Sequence, residues 1–234
     1  MSQLLKSIVV EATEKHTGTV IWLHGLGDSG AGWLFFVEEL APLFPHIKWI
    51  LPTAPLIKVE ANGNALLPAW FNVPSFDKSA NLKKTDSKGM IHSSNLINQL
   101  IQTEIDSGTP SDKIILGGFS QGCVITLLTG YSTHHKLGGI IGCSGWLGVI
   151  EGIENIGTET NKQTPFLICH GENDLIVKPK YGQATAKYLN KIGFKTEFKL
   201  YPELGHGAGL QEIEDITSYI KDRLPSSQTY KSKI

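Results

Sequence analysis

Short β-branched apolar runs alternate along this chain with longer stretches in which apolar residues recur at every third or fourth position. Ile8–Val10 reads as an edge strand, and Thr19-Val20-Ile21-Trp22-Leu23 is a near-continuous apolar run of the kind a parallel sheet buries on both faces. Further strand-like runs are Ile47–Leu51, the opening of Lys113–Thr126, Gly138–Cys143, Thr164–Cys169 and Thr196–Tyr201. Between them the period changes. Gly32–Phe44 carries Trp33, Phe36, Val37, Leu40 and Leu43 at helical spacing and stops before Pro45, and Gly89–Asp106 carries Ile97, Leu100, Ile101 and Ile105 with Gly108 and Pro110 as stop signals. Helices are also expected after Ser120, over about Pro179–Ile192, and in a last segment with Leu210, Ile213, Ile216, Ile220 and Leu224 on one stripe. Right-handed strand-helix-strand crossovers would join these elements into one mostly parallel sheet with helices on both faces, an α/β architecture.

One stretch escapes the alternation. From Pro52 to about Lys88 no period holds, yet the segment carries the apolar cluster Leu66-Leu67-Pro68-Ala69-Trp70-Phe71. A connection this long inside a compact domain is functional or disordered, and the cluster argues against disorder. Its side chains pack on the core or face a substrate, and both uses are open to different residues. With no repeat or linker elsewhere, the expected organisation is a single domain over 1–234, a long loop at about 52–88 and a polar tail at about 226–234.

Composition narrows the partners. At 234 residues and 41% hydrophobic the chain can bury a substantial core, and 21 basic against 22 acidic residues leave no electrostatic reason to bind nucleic acid. Cys123, Cys143 and Cys169 sit in apolar stretches, and their odd number gives no disulfide framework, which fits a reducing compartment. No signal-peptide pattern opens the sequence, and nowhere do eighteen apolar residues run together, so a secreted or membrane-spanning protein is not expected. The last three residues, Ser232-Lys233-Ile234, differ by one substitution from the peroxisomal tripeptide Ser-Lys-Leu.

The chemistry centres on Gly118-Phe119-Ser120-Gln121-Gly122, which lies between a strand run and a helix run and fits the G-x-S-x-G nucleophile elbow. There the serine sits in a strained turn, and the residues two positions away must lack bulk. Gly25, Gly27 and Gly30 satisfy the dinucleotide fingerprint, but the next strand, Ile47–Leu51, runs into Pro52-Thr53 with no acid to hold a ribose. A better-motivated reading makes His24-Gly25-Leu26-Gly27-Asp28 an oxyanion loop, with the N–H groups of Leu26 and Gln121 as donors. A serine hydroxyl needs a base, and the base needs a carboxylate to orient it. His206, in a Gly-flanked loop after the last strand, completes the order Ser120, Asp174, His206; Asp174 is preferred to Glu172 because it lies further into its loop. His24 and His170 read as organisers of backbone beside the site. No His/Cys/Asp/Glu spacing resembles a metal site, and no cofactor or metal is expected.

Taken together, His24-Gly25-Leu26-Gly27-Asp28, Pro68-Ala69-Trp70-Phe71, Gly117-Gly118-Phe119-Ser120-Gln121-Gly122, Ser144-Gly145-Trp146-Leu147 and His170-Gly171 with Asp174 resemble the acyl-protein thioesterase and small carboxylesterase (lysophospholipase-like) family of α/β-hydrolases. The resemblance implies the α/β-hydrolase fold and a cytoplasmic serine hydrolase, with the nucleus as a second location, existing as monomer or weak homodimer. Its expected reaction removes long acyl chains, chiefly palmitoyl, from S-acylated proteins, with acyl-ester lipids and short esters as further substrates. It also implies an apolar acyl channel involving Leu66, Leu67, Trp70 and Trp146. Three positions depart from the family pattern: Cys123 stands where glycine or alanine is usual, Leu175 where proline is, and Gly207 where serine is common. A general carboxylesterase or lysophospholipase is the alternative enzyme. A non-catalytic lipid-binding protein on the same scaffold would be marked by loss of the nucleophile or base, and both are present.

Overall fold

A computed structural model of the chain describes residues 5–75, 85–148 and 152–226. The tripeptide Ser232-Lys233-Ile234, nearly all of the polar tail and residues 76–84 of the long loop lie outside the described residues. The strands are β1 (Ser7–Val10), β2 (Gly18–Leu23), β3 (Ile47–Pro52), β4 (Leu56–Val59), β5 (Ala65–Pro68), β6 (Ile114–Phe119), β7 (Gly139–Cys143), β8 (Phe166–Gly171) and β9 (Thr196–Tyr201). The α-helices are α1 (Leu34–Leu40), α2 (Ser87–Asp106), α3 (Gln121–Ser132), α4 (Pro179–Lys191) and α5 (Leu210–Arg223).

Seven strands form one sheet in the order β1-β3-β2-β6-β7-β8-β9, parallel throughout except where β1 runs antiparallel to β3. The apolar runs explain the layering. All six residues of β2 are buried, and its side chains alternate between two cores: Ile21 and Leu23 pack with α2, α3 and α4, whereas Val20 and Trp22 pack with α1 and α5. The Trp22 ring lies across β6 at Gly117, where an added Cβ would come within 2.4 Å of it. That contact requires glycine.

Two details differ from the sequence expectation. The helix expected over Gly32–Phe44 is α-helical only from Leu34 to Leu40, with 3-10 turns at Gly30–Trp33 and Ala41–Leu43. Pro42, which lacks an N–H and crowds the preceding turn, explains the early end. The long loop is not wholly irregular, since β4 and β5 pair as an antiparallel hairpin turned at Gly63 and Asn64, both with positive φ. Four-residue strands are too short to leave a pattern.

Parallel strands end on one edge of the sheet, and that edge collects Leu26, Ser120, Trp146, Asp174 and His206, each in a segment that follows a strand.

Candidate active site

Ser120 caps the N-terminus of α3 with φ +53° and ψ −115°, a left-handed backbone that non-glycine residues rarely adopt. Its N–H donates to the Cys143 carbonyl at 2.8 Å, which ties the turn to the end of β7. The turn closes tightly, because a Cβ at Gly122 would lie 2.4 Å from the Leu23 carbonyl oxygen and 2.6 Å from that of His24.

Ser120 Oγ lies 3.0 Å from His206 Nε2, and His206 Nδ1 lies 2.7 Å from Asp174 Oδ2. Asp174 is 2% exposed, and its other oxygen, Oδ1, accepts the N–H groups of Ile176 (2.9 Å) and Val177 (2.8 Å). The carboxylate is thus held on both sides, as an orienting group for an imidazole must be. The Phe119 ring packs on His206 at 4.8 Å between centroids and helps fix the plane of the imidazole. Behind Asp174, buried His170 donates from Nε2 to the Val177 carbonyl at 2.8 Å and lies 3.4 Å from Asp174 Oδ2.

The loop after β2 is organised by His24. Its Nδ1 lies 2.6 Å from the Gly25 carbonyl, and its Nε2 accepts the Ala54 N–H at 3.0 Å, a pattern that requires the neutral imidazole with its proton on Nδ1. Trp70 donates its indole N–H to the His24 carbonyl, and Gly27 N–H donates to Pro68 at the end of β5. Leu26 and Gln121 both line the cavity beside Ser120. As the first residue of α3, Gln121 has a backbone N–H with no acceptor inside the helix, the state an oxyanion donor needs. Its side chain clamps the neighbouring segment, accepting from Trp70 N–H (2.8 Å) and donating to the Phe71 carbonyl (2.7 Å).

Ser120 and His206 open onto a cavity of about 670 Å³ whose walls include Trp33, Phe35, Phe71, Val73, Trp146 and Ile176. Trp146, expected in the acyl channel, lines this cavity. Leu66, Leu67 and Trp70 are corrected, because none of them is in the wall of this cavity. Leu66 and Leu67 belong to β5 of the hairpin, where Leu66 is 62% exposed, whereas Trp70 is buried with its indole committed to His24. The residues of that stretch that do line the cavity are Phe71 and Val73, a few positions further on.

The sequence profile of the phospholipase/carboxylesterase family matches residues 5–224. The chain is 39% identical to acyl-protein thioesterase 1 of Cryptococcus neoformans, over 96% of this chain and all of that protein. It is 37% identical to acyl-protein thioesterase 1 of Yarrowia lipolytica, over 93% and 97%. The chain belongs to the phospholipase/carboxylesterase family. Among solved structures, acyl-protein thioesterase 2 of Zea mays superposes with a TM-score of 0.80 at 32% identity, over 94% of this chain and 99% of that one. Esterase PE8, at 22% identity and a TM-score of 0.82 over 95% and 100%, shares the α/β-hydrolase fold.

Within this phospholipase/carboxylesterase chain the three departures have distinct settings. Cys123 is buried against Gly142 and Gly145, where a Cβ would come within 2.8 and 2.6 Å of its sulfur, so two glycines make room for the larger side chain. Leu175 is 75% exposed, beside Ile176 at the cavity mouth, and Gly207 lines the cavity next to His206. Trp33 and Phe35 were read as helix residues, and Val73 and Ile176 were not singled out. The exposed apolar pair Leu175-Ile176 directly after the acid was the one sequence signal that could have found that wall.

Burial holds both His24 and His170 below the ordinary histidine value of 6.5, so both are neutral in the folded protein. The unfolded chain takes up those protons as the pH drops below about 6.5, and stability present above that value is lost as pH falls toward the depressed folded values. Thermal melting between about pH 7 and pH 5 should therefore show a falling midpoint, with a shallower fall in a His170→Asn variant. An unchanged slope in that variant would remove His170 from the account.

Proposed function

We propose that this chain is a serine hydrolase that removes long acyl groups, palmitoyl foremost, from cysteine thioesters on proteins through an acyl-enzyme at Ser120. The observation that carries the reading is the continuous hydrogen-bonded series Ser120–His206–Asp174 opening onto an apolar-walled cavity. His206 Nε2 takes the Ser120 proton as Oγ attacks the acyl carbon, and Asp174 stabilises the imidazolium that forms. The N–H groups of Leu26 and Gln121 receive the oxyanion. On collapse the C–S bond breaks, the leaving sulfur takes the proton from His206, and the acyl chain stays on Ser120. Water, deprotonated by the same histidine, then releases the fatty acid and restores the serine.

A thiolate is a good leaving group, so for a thioester the proton delivered by His206 matters less than it would for an amide or alkyl ester. Trp33, Phe71, Val73 and Trp146 offer apolar area to the acyl chain, each buried methylene contributing about 0.8 kcal/mol. The acyl-protein thioesterases among the relatives support the protein-thioester substrate. We assign the activity to one domain acting as monomer or weak homodimer in the cytoplasm; among the described residues no helix is long and apolar enough to cross a membrane.

The discriminating measurement is kcat/KM on three substrates carrying acyl chains: a palmitoylated peptide, a lysophospholipid and a short-chain ester. The peptide should lead. If it is the poorest of the three, the chain is a carboxylesterase or lysophospholipase instead.

A further inference from the structure

We propose that Cys143, Cys169 and Glu212 form a buried binding site for a thiophilic divalent cation, zinc being the ion their donor set fits, behind the serine turn and separate from the acyl cavity. Cys143 and Cys169 are directly paired across the parallel β7–β8 ladder, so their side chains leave the sheet on the same face. α5 covers that face, and its first turn brings Glu212 over them. One ligand atom from each of the three lies within 4.8 Å of the other two. All three residues are buried, at 2%, 0% and 1% exposure.

The observation that calls for a ligand is Glu212. Its Oε2 accepts the Gly209 N–H at 3.4 Å, while Oε1, sealed from solvent, has no hydrogen-bond partner. A carboxyl group left in this way is unusual, since buried polar atoms nearly always find a partner. A zinc ion bound at about 2.3 Å to sulfur and about 2.1 Å to oxygen needs donors about 3.5 to 3.8 Å apart. Donors already within 4.8 Å reach that spacing by shifts of about 1 Å or less.

The Tyr201 hydroxyl donates its one proton to Asp215 and stands 3.3 Å from Cys169 Sγ, where its lone pair accepts from the thiol until an ion displaces that proton. Cys123 packs in the core on the opposite face of the sheet and takes no part. The three donors are scattered through the chain, so no linear spacing announces them; this is where the expectation of no metal site, drawn from spacing alone, meets a cluster made by folding.

Binding exchanges protons for the ion: each thiol loses its proton to solvent as its sulfur takes the metal, and Glu212 binds as the carboxylate. The ion would also tie together three parts of the fold near the catalytic residues. The Cys143 carbonyl holds the Ser120 N–H, β8 leads to Asp174, and α5 begins four residues after His206. Its occupancy should therefore stiffen the framework under the site.

The test uses the full chain, reduced and refolded from denaturant with zinc or cadmium, and in parallel the folded chain incubated with the same ions, so that slow entry to a buried site is covered. We expect about one ion per chain retained through gel filtration and, with cadmium, an ultraviolet thiolate-to-metal absorption. The band should be lost in Cys143→Ala and Cys169→Ala and kept in Cys123→Ala. Glu212→Gln, which preserves the shape, should retain at least tenfold less metal and lose the metal-dependent rise in melting midpoint. Absence of a retained ion in both preparations, or a band that survives Cys143→Ala and Cys169→Ala, or one that vanishes with Cys123→Ala alone, overturns the proposal. Hydrolysis does not enter these readouts, so they stand or fall apart from the reading of Ser120.

Discussion

Ser120→Ala should lower kcat by about 10⁵- to 10⁶-fold while leaving the fold intact. Among the described residues Ser120 Oγ has one hydrogen-bond partner, His206 Nε2, so the side chain carries little of the stability, and the change in unfolding free energy should stay within about 1 kcal/mol. The large loss follows because nucleophile, base and carboxylate act as one unit; removing the atom that forms the acyl-enzyme leaves only what the oxyanion donors and binding supply. Burst kinetics with a chromogenic ester and labelling by a fluorophosphonate probe read this directly. Parent protein should label and the variant should not. Turnover within tenfold of the parent would take Ser120 out of the reaction.

The other large effect is expected two residues later, from the smallest possible change. Gly122→Ala places a methyl group 2.4 Å from the Leu23 carbonyl oxygen and 2.6 Å from the His24 carbonyl oxygen. Both obstacles are backbone, one at the end of β2 and one opening the loop that carries Leu26, so neither can rotate aside as a side chain would. The start of α3 must move away from the sheet. Overpacking of this kind costs about 1–3 kcal/mol or somewhat more. A displacement of about 1 Å between Ser120 and the oxyanion donors costs about 100-fold in rate. Denaturant melts and kcat together check the expectation: both should fall, and an alanine that leaves both unchanged would mean the turn is looser than its contacts imply.

Much of this was legible in the sequence because the physics that builds a parallel sheet writes itself locally. A short apolar, β-branched run such as Thr19–Leu23 fits a strand buried on both faces, and the glycines flanking Ser120, by lacking a Cβ, permit the tight turn that any larger residue would block. The order of Ser120, Asp174 and His206 along the chain sufficed to nominate them, since each follows a strand whose end was visible, and the fold brings the three within hydrogen-bond reach. What could not be read was whatever depends on how loops fold back. Leu66 and Trp70 look alike as apolar loop residues, yet a hairpin of two four-residue strands turns the first to solvent, and an indole N–H seeking the His24 carbonyl buries the second. The cavity wall was misassigned by only a few residues for that reason. The shortened α1 is a different failure, since Pro42 was in plain view as a helix breaker. The Cys143–Cys169–Glu212 cluster is the furthest from legibility, because strand pairing and helix docking both have to happen before its members meet.

The double clamp made by the Gln121 side chain bears on how this chain can change. Because one amide grips both Trp70 and Phe71 while its own backbone opens α3, the cavity wall at Phe71 and the turn that carries Ser120 are a single mechanical piece. Chain-length preference is therefore hard to retune at Phe71 without a simultaneous change in turnover, whereas Phe35, on the opposite lip, is half exposed and rests its ring on Trp33 rather than on the serine turn. Drift in selectivity among descendants of this sequence should accumulate on that side first.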